Sequence, residues 1–145
     1  MNVNIRTVSH ESAGWALSIA LRTAVLREPL GLFFTEQELE EEDTSYHLTA
    51  WEGELLVGCL VLLPIDAFTV KMRQVAVRPD KQGLGIGKLL VEYAEALAKE
   101  HLFESIRLHA RESAFRFYDQ LGYVSSGDIF EEVGIPHKAY SKKLG

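Results

Sequence analysis

Gln82-Gly83-Leu84-Gly85-Ile86-Gly87 lies between a strand-like run, Met72 to Val77, and a helix-like run from Lys88 onward. A strand-to-helix junction presents backbone N–H groups without partners, and these together with the helix dipole favour an anion. Glycine at positions 83, 85 and 87 removes the β-carbons that would hold a phosphate away from those amides. The segment therefore predicts a pyrophosphate cradle. Spacing excludes two common nucleotide loops. A Walker-type loop needs four residues between its first glycine and Gly-Lys, then Ser or Thr; here three residues separate Gly83 from Gly87, and Leu89 stands in place of the hydroxyl. The dinucleotide fingerprint needs its third glycine at position 88, which is Lys88.

The pattern that fits is Gln-x-x-Gly-x-Gly, with Gln82, Gly85 and Gly87 in its fixed places. It resembles the coenzyme A loop of the GNAT superfamily of N-acetyltransferases. Gln74-Val75-Ala76-Val77-Arg78-Pro79 is similar to the strand end leading into that loop. Ala114-Phe115-Arg116-Phe117-Tyr118-Asp119-Gln120-Leu121-Gly122-Tyr123 resembles the family's second helix and its exit. Gly134-Ile135-Pro136-His137 is similar to a C-terminal turn found in one branch. Together these cover the chain from about the first helix to the last strand.

The resemblance implies an acetyl-CoA site where two neighbouring strands splay apart, here those ending at Val77 and Leu108. The backbone of Val75, Ala76 and Val77 would pair with the pantetheine like an added strand; the ordinary alternative is pairing within the sheet. Gln82, Gly83, Leu84, Gly85, Ile86 and Gly87 would hold the pyrophosphate, and Lys88 would reach the 3′-phosphate or simply be solvated. The resemblance also implies that Tyr118 protonates the departing thiolate, since a phenol near its reference pKa of about 10 carries its proton at neutral pH. Its alternative is membership of the helix's apolar stripe. Arg111 replaces an asparagine that many relatives carry three residues before the helix alanine, so it either contacts the cofactor or points outward. Many relatives keep a glutamate on the strand before the loop, but Thr69 to Gln74 contains none. His109, His137, Glu131 and Glu132 are the candidate bases, histidine being suited by its titration near neutrality, and a bound water is the alternative. Arg27 and the Tyr46-His47 pair are expected to shape the acceptor pocket.

Composition sets the class. A chain of 145 residues suits one domain, 1–145, with a core that needs neither disulfide nor metal. The single cysteine, Cys59, lies in an apolar run and is expected to be buried, as in a reducing cytoplasm. Met1 to Arg6 has no secretory pattern, and the longest apolar run, Leu55 to Ile65, is too short to span a membrane. A net charge of −6 argues against nucleic-acid binding. Six of the eight residues from Glu36 to Asp43 are acidic, which reads first as a solvated helix face and second as a rim attracting a cationic amine. The histidines and cysteine show no zinc-ligand spacing.

Periodicity orders the elements. Val3 to Val8 alternates as a strand, and His10 to Arg27 has a helical period. Thr35 caps a short helix through Glu42. Tyr46 to Trp51 and Leu55 to Leu63 form a hairpin about Glu52-Gly53-Glu54, followed by a strand from Phe68 to Val77. Lys88 to Glu100 is a helix, Ser105 to Leu108 a strand and Arg111 to Leu121 a helix; strands near Tyr123 to Ser126 and His137 to Lys142 close the chain. The expected fold is α/β: one domain with a mixed, mostly antiparallel sheet flanked by helices and a splayed central strand pair. The expected function is direct acetyl transfer from acetyl-CoA to a primary amine. A small-molecule amine is the expected acceptor, a protein amine the second, with homodimerisation common in the family. The rival reading is a non-catalytic acyl-CoA sensor or interaction module.

Overall fold

The computed structural model describes residues 2–145; Met1, counted in both the domain span and the N-terminal reading, lies outside the described residues. Its elements run β1 (Asn4–Val8), α1 (Ala13–Arg22), α2 (Glu36–Glu40), β2 (Tyr46–Glu52), β3 (Leu55–Pro64), β4 (Thr69–Val77), α3 (Ile86–Glu100), β5 (Ser105–Arg111), α4 (Phe115–Gln120), β6 (Val124–Glu132) and β7 (Ile135–Lys143). The seven strands form one sheet in the order β1-β2-β3-β4-β5-β7-β6. Every neighbouring pair is antiparallel except β4 and β5, which run parallel. The expected order and mixed sheet are those observed.

Two helices cover opposite faces of the sheet centre. Alternation along β2 and β3 turns Leu48, Ala50, Leu60 and Leu62 toward α3, where they pack with Ile86, Leu90, Val91 and Ala94. Gly58 is required there, because a β-carbon would stand 2.9 Å from Leu90 Cδ1. The intervening residues face α1: the Cys59 thiol reaches the Ser18 carbonyl at 3.8 Å, and Gly14 lies under Val8 and Trp51. Cys59 is buried as expected, and burial pushes its thiol up to about 12.

Several boundaries differ from the periodicity. The first helix does not run unbroken from His10 to Arg27: Ser12 caps it by accepting from Trp15 N, and after Arg22 it widens into a π turn over Thr23–Arg27. α3 begins at Ile86 rather than Lys88, with Gly85 as its left-handed cap. β5 extends to Arg111, because β7 pairs with it that far even where β4 does not. The last two strands form a long hairpin whose turn is Val133-Gly134, with φ of 46° and 79°. Ile135-Pro136-His137 therefore starts β7 instead of forming a turn. Val133 is the strained member, because a β-branched residue rarely adopts positive φ.

The acidic run is α-helical only to Glu40, and Glu36, Glu40, Glu41 and Asp43 form the expected exposed face. Thr35 and Glu38 form a capping box, but Glu42 turns inward. Both its oxygens accept from Arg22 at 2.6 Å, Trp15 Nε1 donates to Oε1 at 3.1 Å, and its backbone carbonyl accepts from His47 Nε2 at 2.9 Å. The run is thus a tether to α1 and β2 as much as a solvated face.

Truncating Glu42 strands a wholly buried guanidinium, so Glu42→Ala is expected to cost about 3–5 kcal/mol. Glu40→Ala, two residues away and exposed, should stay within about 0.5 kcal/mol. Urea unfolding of both variants checks the contrast. Burial also lowers the His47 pKa against the opposing pull of Glu42, with Arg22 and His10 adding to the depression. A histidine held neutral in the fold binds its proton more readily when unfolded, so its stability contribution is present above about pH 6.5 and lost as pH falls below it. Thermal melts from pH 8 to 5 should therefore decline less steeply for His47→Gln than for the native chain.

Candidate active site

β4 and β5 pair only from Thr69↔Ser105 to Met72↔Leu108. One residue further on, β4 departs from regular geometry. Arg73 pairs with Val61 and Ala76 with Cys59, so Gln74 and Val75 both oppose Leu60, and Gln74 takes φ 55°. This β-bulge bends the strand where its parallel partner is lost, and the two strand ends diverge. The backbone of Val75, Ala76 and Val77 then faces a cleft instead of a neighbouring strand.

The cleft has a volume of about 910 Å³. At one end lies the glycine loop. Gly83 and Gly85 have φ of 79° and 87°, and a β-carbon at either would meet nothing within 4 Å, so the space beyond their backbones is open. The first intrahelical bond of α3 runs from Leu89 N to Gly85 O, leaving the preceding amides of Ile86, Gly87 and Lys88 for an anion. Gly87 has a different role: a β-carbon there would stand 3.3 Å from Phe117, where α4 crosses the helix start. Gln82 braces the loop by donating Nε2–H to the Val77 carbonyl at 3.1 Å. Leu84 is exposed beside it, and Lys88 lines the opening with its ammonium 4.0 Å from Glu92. An open cradle of unused amides fits the pyrophosphate of a coenzyme A ester.

In the middle of the cleft stands Tyr118. It is 6% exposed and packs among Phe117, Tyr123 and Tyr140. Of these three clustered tyrosines it alone lines the cleft. The other hydroxyls are committed, Tyr123 to Glu95 at 2.8 Å and Tyr140 to the Phe115 carbonyl at 3.5 Å. Burial raises the Tyr118 pKa, which keeps its proton on oxygen and available as a donor.

At the far end β5, β6 and β7 bring together His109, Glu132 and His137. Glu132 Oε1 accepts from His109 Nδ1–H at 2.9 Å; in the neutral form of that ring Nε2 carries the lone pair. Burial tends to raise the Glu132 pKa, but the His109 bond, the nearby histidine charges and Lys71 outweigh it and hold the carboxyl below its usual range. His137 is nearly enclosed and donates Nδ1–H to the Ile135 carbonyl at 2.9 Å, with Nε2 3.6 Å from Glu132. Glu131 does not line the cleft.

The remaining expected residues separate. Arg27 lines the cleft, lying over Phe34 and donating to Glu38 at 3.3 Å. His47 does not: it is buried beneath α1 and α2 in the Glu42 network, because alternation along β2 turns it to that face. Its neighbour Tyr46 packs against His101 instead. Arg111 lines the cleft, but its Nη2 donates to the Leu26 carbonyl at 2.6 Å, tying the end of β5 to the segment after α1 rather than to the glycine loop. The sequence reading did not single out Gln74, Lys71 or Leu26. Lys71 and Arg73, two cations alternating within a central strand, were the available signal.

The model of the acetyltransferase (GNAT) domain matches residues 31–144. A provisionally named acetyltransferase of Bacillus subtilis (strain 168) is 27% identical over 145 residues, covering 97% of each chain. The crystal structure of a provisionally named N-acetyltransferase from Lactobacillus plantarum superimposes with a TM-score of 0.85 at 27% identity, over 99% of each chain. A GNAT family acetyltransferase from Elizabethkingia anophelis, solved with acetyl-CoA bound, shares the fold with a TM-score of 0.78 at 17% identity, over 99% of each chain.

Because Gly85 carries a left-handed backbone, Gly85→Ala is expected to cost about 1–2 kcal/mol of stability. Gly85→Val should in addition weaken acetyl-CoA binding at least tenfold by filling the open cradle. Calorimetric titration with acetyl-CoA and free CoA, alongside melting curves, separates the two effects.

Proposed function

The chain belongs to the GNAT acetyltransferases, and from that premise we propose that it transfers the acetyl group of acetyl-CoA directly to the nitrogen of a primary amine. The observation that carries this reading is the divergence of β4 from β5 at the Gln74 bulge, with the glycine loop at one end and an oriented histidine at the other. In this reading the backbone of Val75 to Val77 binds the pantetheine amides, and the loop amides of Gly85 to Lys88 hold the pyrophosphate. Acetyl-CoA supplies a thioester carbon open to attack.

His109 Nε2 removes the proton that the amine nitrogen must lose, and Glu132, bonded to Nδ1–H, orients the ring and stabilises its charged form. As the C–N bond forms and the C–S bond breaks, Tyr118 gives its phenolic proton to the departing sulfur. Amides near the bulge face the carbonyl oxygen as charge develops there. Tyr118 disfavours a purely binding role for the cleft, since a sensor gains nothing from a protonated phenol at its centre. The acceptor is a small molecule that reaches the cleft beside Arg27, and the enzyme acts in the cytoplasm.

Tyr118→Phe is expected to lower kcat by about 10²–10⁴-fold, the usual worth of general acid–base catalysis, with acetyl-CoA affinity nearly unchanged. His109→Gln should lower kcat by a comparable factor, again with acetyl-CoA affinity nearly unchanged. Steady-state kinetics across pH, with CoA release as readout, test both assignments; wild-type rates in either variant would remove that residue from the mechanism.

A further inference from the structure

The charge of the cleft opposes that of the chain. The protein carries 21 acidic and 15 basic residues. Yet the cleft is lined by Arg27, Lys71, Arg73, Lys81, Lys88 and Arg111 against one carboxylate, Glu132. Lys81 and Lys88 stand at the glycine loop, where phosphates account for them, and Lys81 is also paired with Glu52 at 2.9 Å. Arg27, Lys71, Arg73 and Arg111 lie beyond the splay, away from the loop. Arg27 has Glu38 as a counter-ion. Among the described residues, no carboxylate lies within 4.0 Å of Lys71, Arg73 or Arg111.

These cations also crowd one another. Strand alternation puts Lys71, Arg73, Arg107 and Arg111 on the sheet face opposite α3, and Lys71 stands beside Arg107 in register. Like charges directly across a sheet are destabilising. Lys71 and Arg111 are half-buried, and for both desolvation and neighbouring cations disfavour the charged form. Asp66 lies near Arg107; Glu132 is the carboxylate that lines the cleft, and His109 already engages it. Glu132 offsets part of this from a distance, but partly desolvated cations held together without a contacting carboxylate are costly unless a ligand supplies the anion.

We infer that the acceptor is an amine that also carries an anionic group, a carboxylate or a phosphate, which Lys71 and Arg111 hold on the β4–β5 face while its nitrogen lies at His109. This rests on the acetyltransferase reading above and sets aside the second reading of the acidic run, a rim attracting a cationic amine, since Glu38 and Glu42 are engaged by Arg27 and Arg22. Arg73, exposed at the mouth, adds attraction at longer range.

The test uses matched acceptors on the full chain: L-phenylalanine against 2-phenylethylamine, phosphoethanolamine against ethanolamine, and spermidine as a cation. The expected result is at least a tenfold advantage in kcat/KM for one member carrying the anionic group over its partner lacking it; which pair shows it separates carboxylate from phosphate. Lys71→Met and Arg111→Gln should each bring that ratio toward one, and Lys71→Arg should restore most of it. Calorimetry on the CoA-saturated protein supplies a readout independent of turnover: N-acetyl-L-phenylalanine or N-acetylphosphoethanolamine should bind at least tenfold more tightly than its uncharged analogue. Equal or better use of the amines lacking an anionic group, or of spermidine, with acetyl-CoA bound normally, overturns the anionic acceptor and leaves the acetyltransferase reading standing. Absence of acetyl-CoA binding overturns both.

Discussion

A strand in the middle of a sheet must find hydrogen-bond partners on both sides, and β4 gives up one of them halfway along its length. Up to Met72 it is held by β3 and β5; beyond the Gln74 bulge only β3 remains. Buried backbone groups without partners are expensive, so such an opening persists only where something else occupies the edge. The cleft is that edge. Its floor is the exposed backbone of Val75 to Val77, its near end the loop that β4 runs into, and its far wall the strand that β4 left. The glycine loop, Tyr118 and His109 share one cavity because each sits on an element adjoining the same divergence.

The two sheet faces give that opening its two chemistries. On one face α3 packs on a continuous apolar core, which fixes the start of the helix, and hence the loop amides, against rigid β3. On the other face α1 and α2 are held through polar contacts: Arg22 with Glu42, His47 with the Glu42 carbonyl, and Arg111 with the Leu26 carbonyl. In the proposed reaction, apolar packing positions the part that must not vary, the binding of a thioester carrier. A polar roof can be rebuilt without disturbing that core, and it is this roof and the face beneath it that would meet the proposed acceptor.

Most of the fold was legible because its signals are local. The two runs of Tyr46 to Leu63 about Glu52-Gly53-Glu54, the Thr35 cap and the spacing of Gln82, Gly85 and Gly87 each depend on neighbours in the chain. The divergence itself left little trace. Gln74 is neither glycine nor asparagine, so nothing in its identity announces a positive φ, and the bulge arises from competition between β3 and β5 for one strand. The widened turn after Arg22 was hidden for a similar reason, since the apolar period continues across it. His47 shows the limit for sites. Its neighbours in sequence place it near the acceptor region, but strand alternation, one residue either way, decides whether it reaches the cleft or the buried network beneath α2. Glu132 with His109 lay open among the candidates, and only the register of β5, β7 and β6 joined them.

Net charge illustrates why composition bounds partners but does not choose them. The acidic excess of the chain is real, and read as a field around the protein it attracts cations. A substrate, however, responds to the groups that surround it after water has left, where the effective dielectric is lower and nearby charges dominate. Part of the acidic run is withdrawn from that field by pairing with Arg22 and Arg27, while Lys71 and Arg111 remain half-buried without carboxylate partners. The sign of the potential inside the cleft is therefore set by a few residues on two strands, opposite to the sign set by the surface. A protein of this kind can repel polyanions such as nucleic acids at long range and still receive a small anion at its centre.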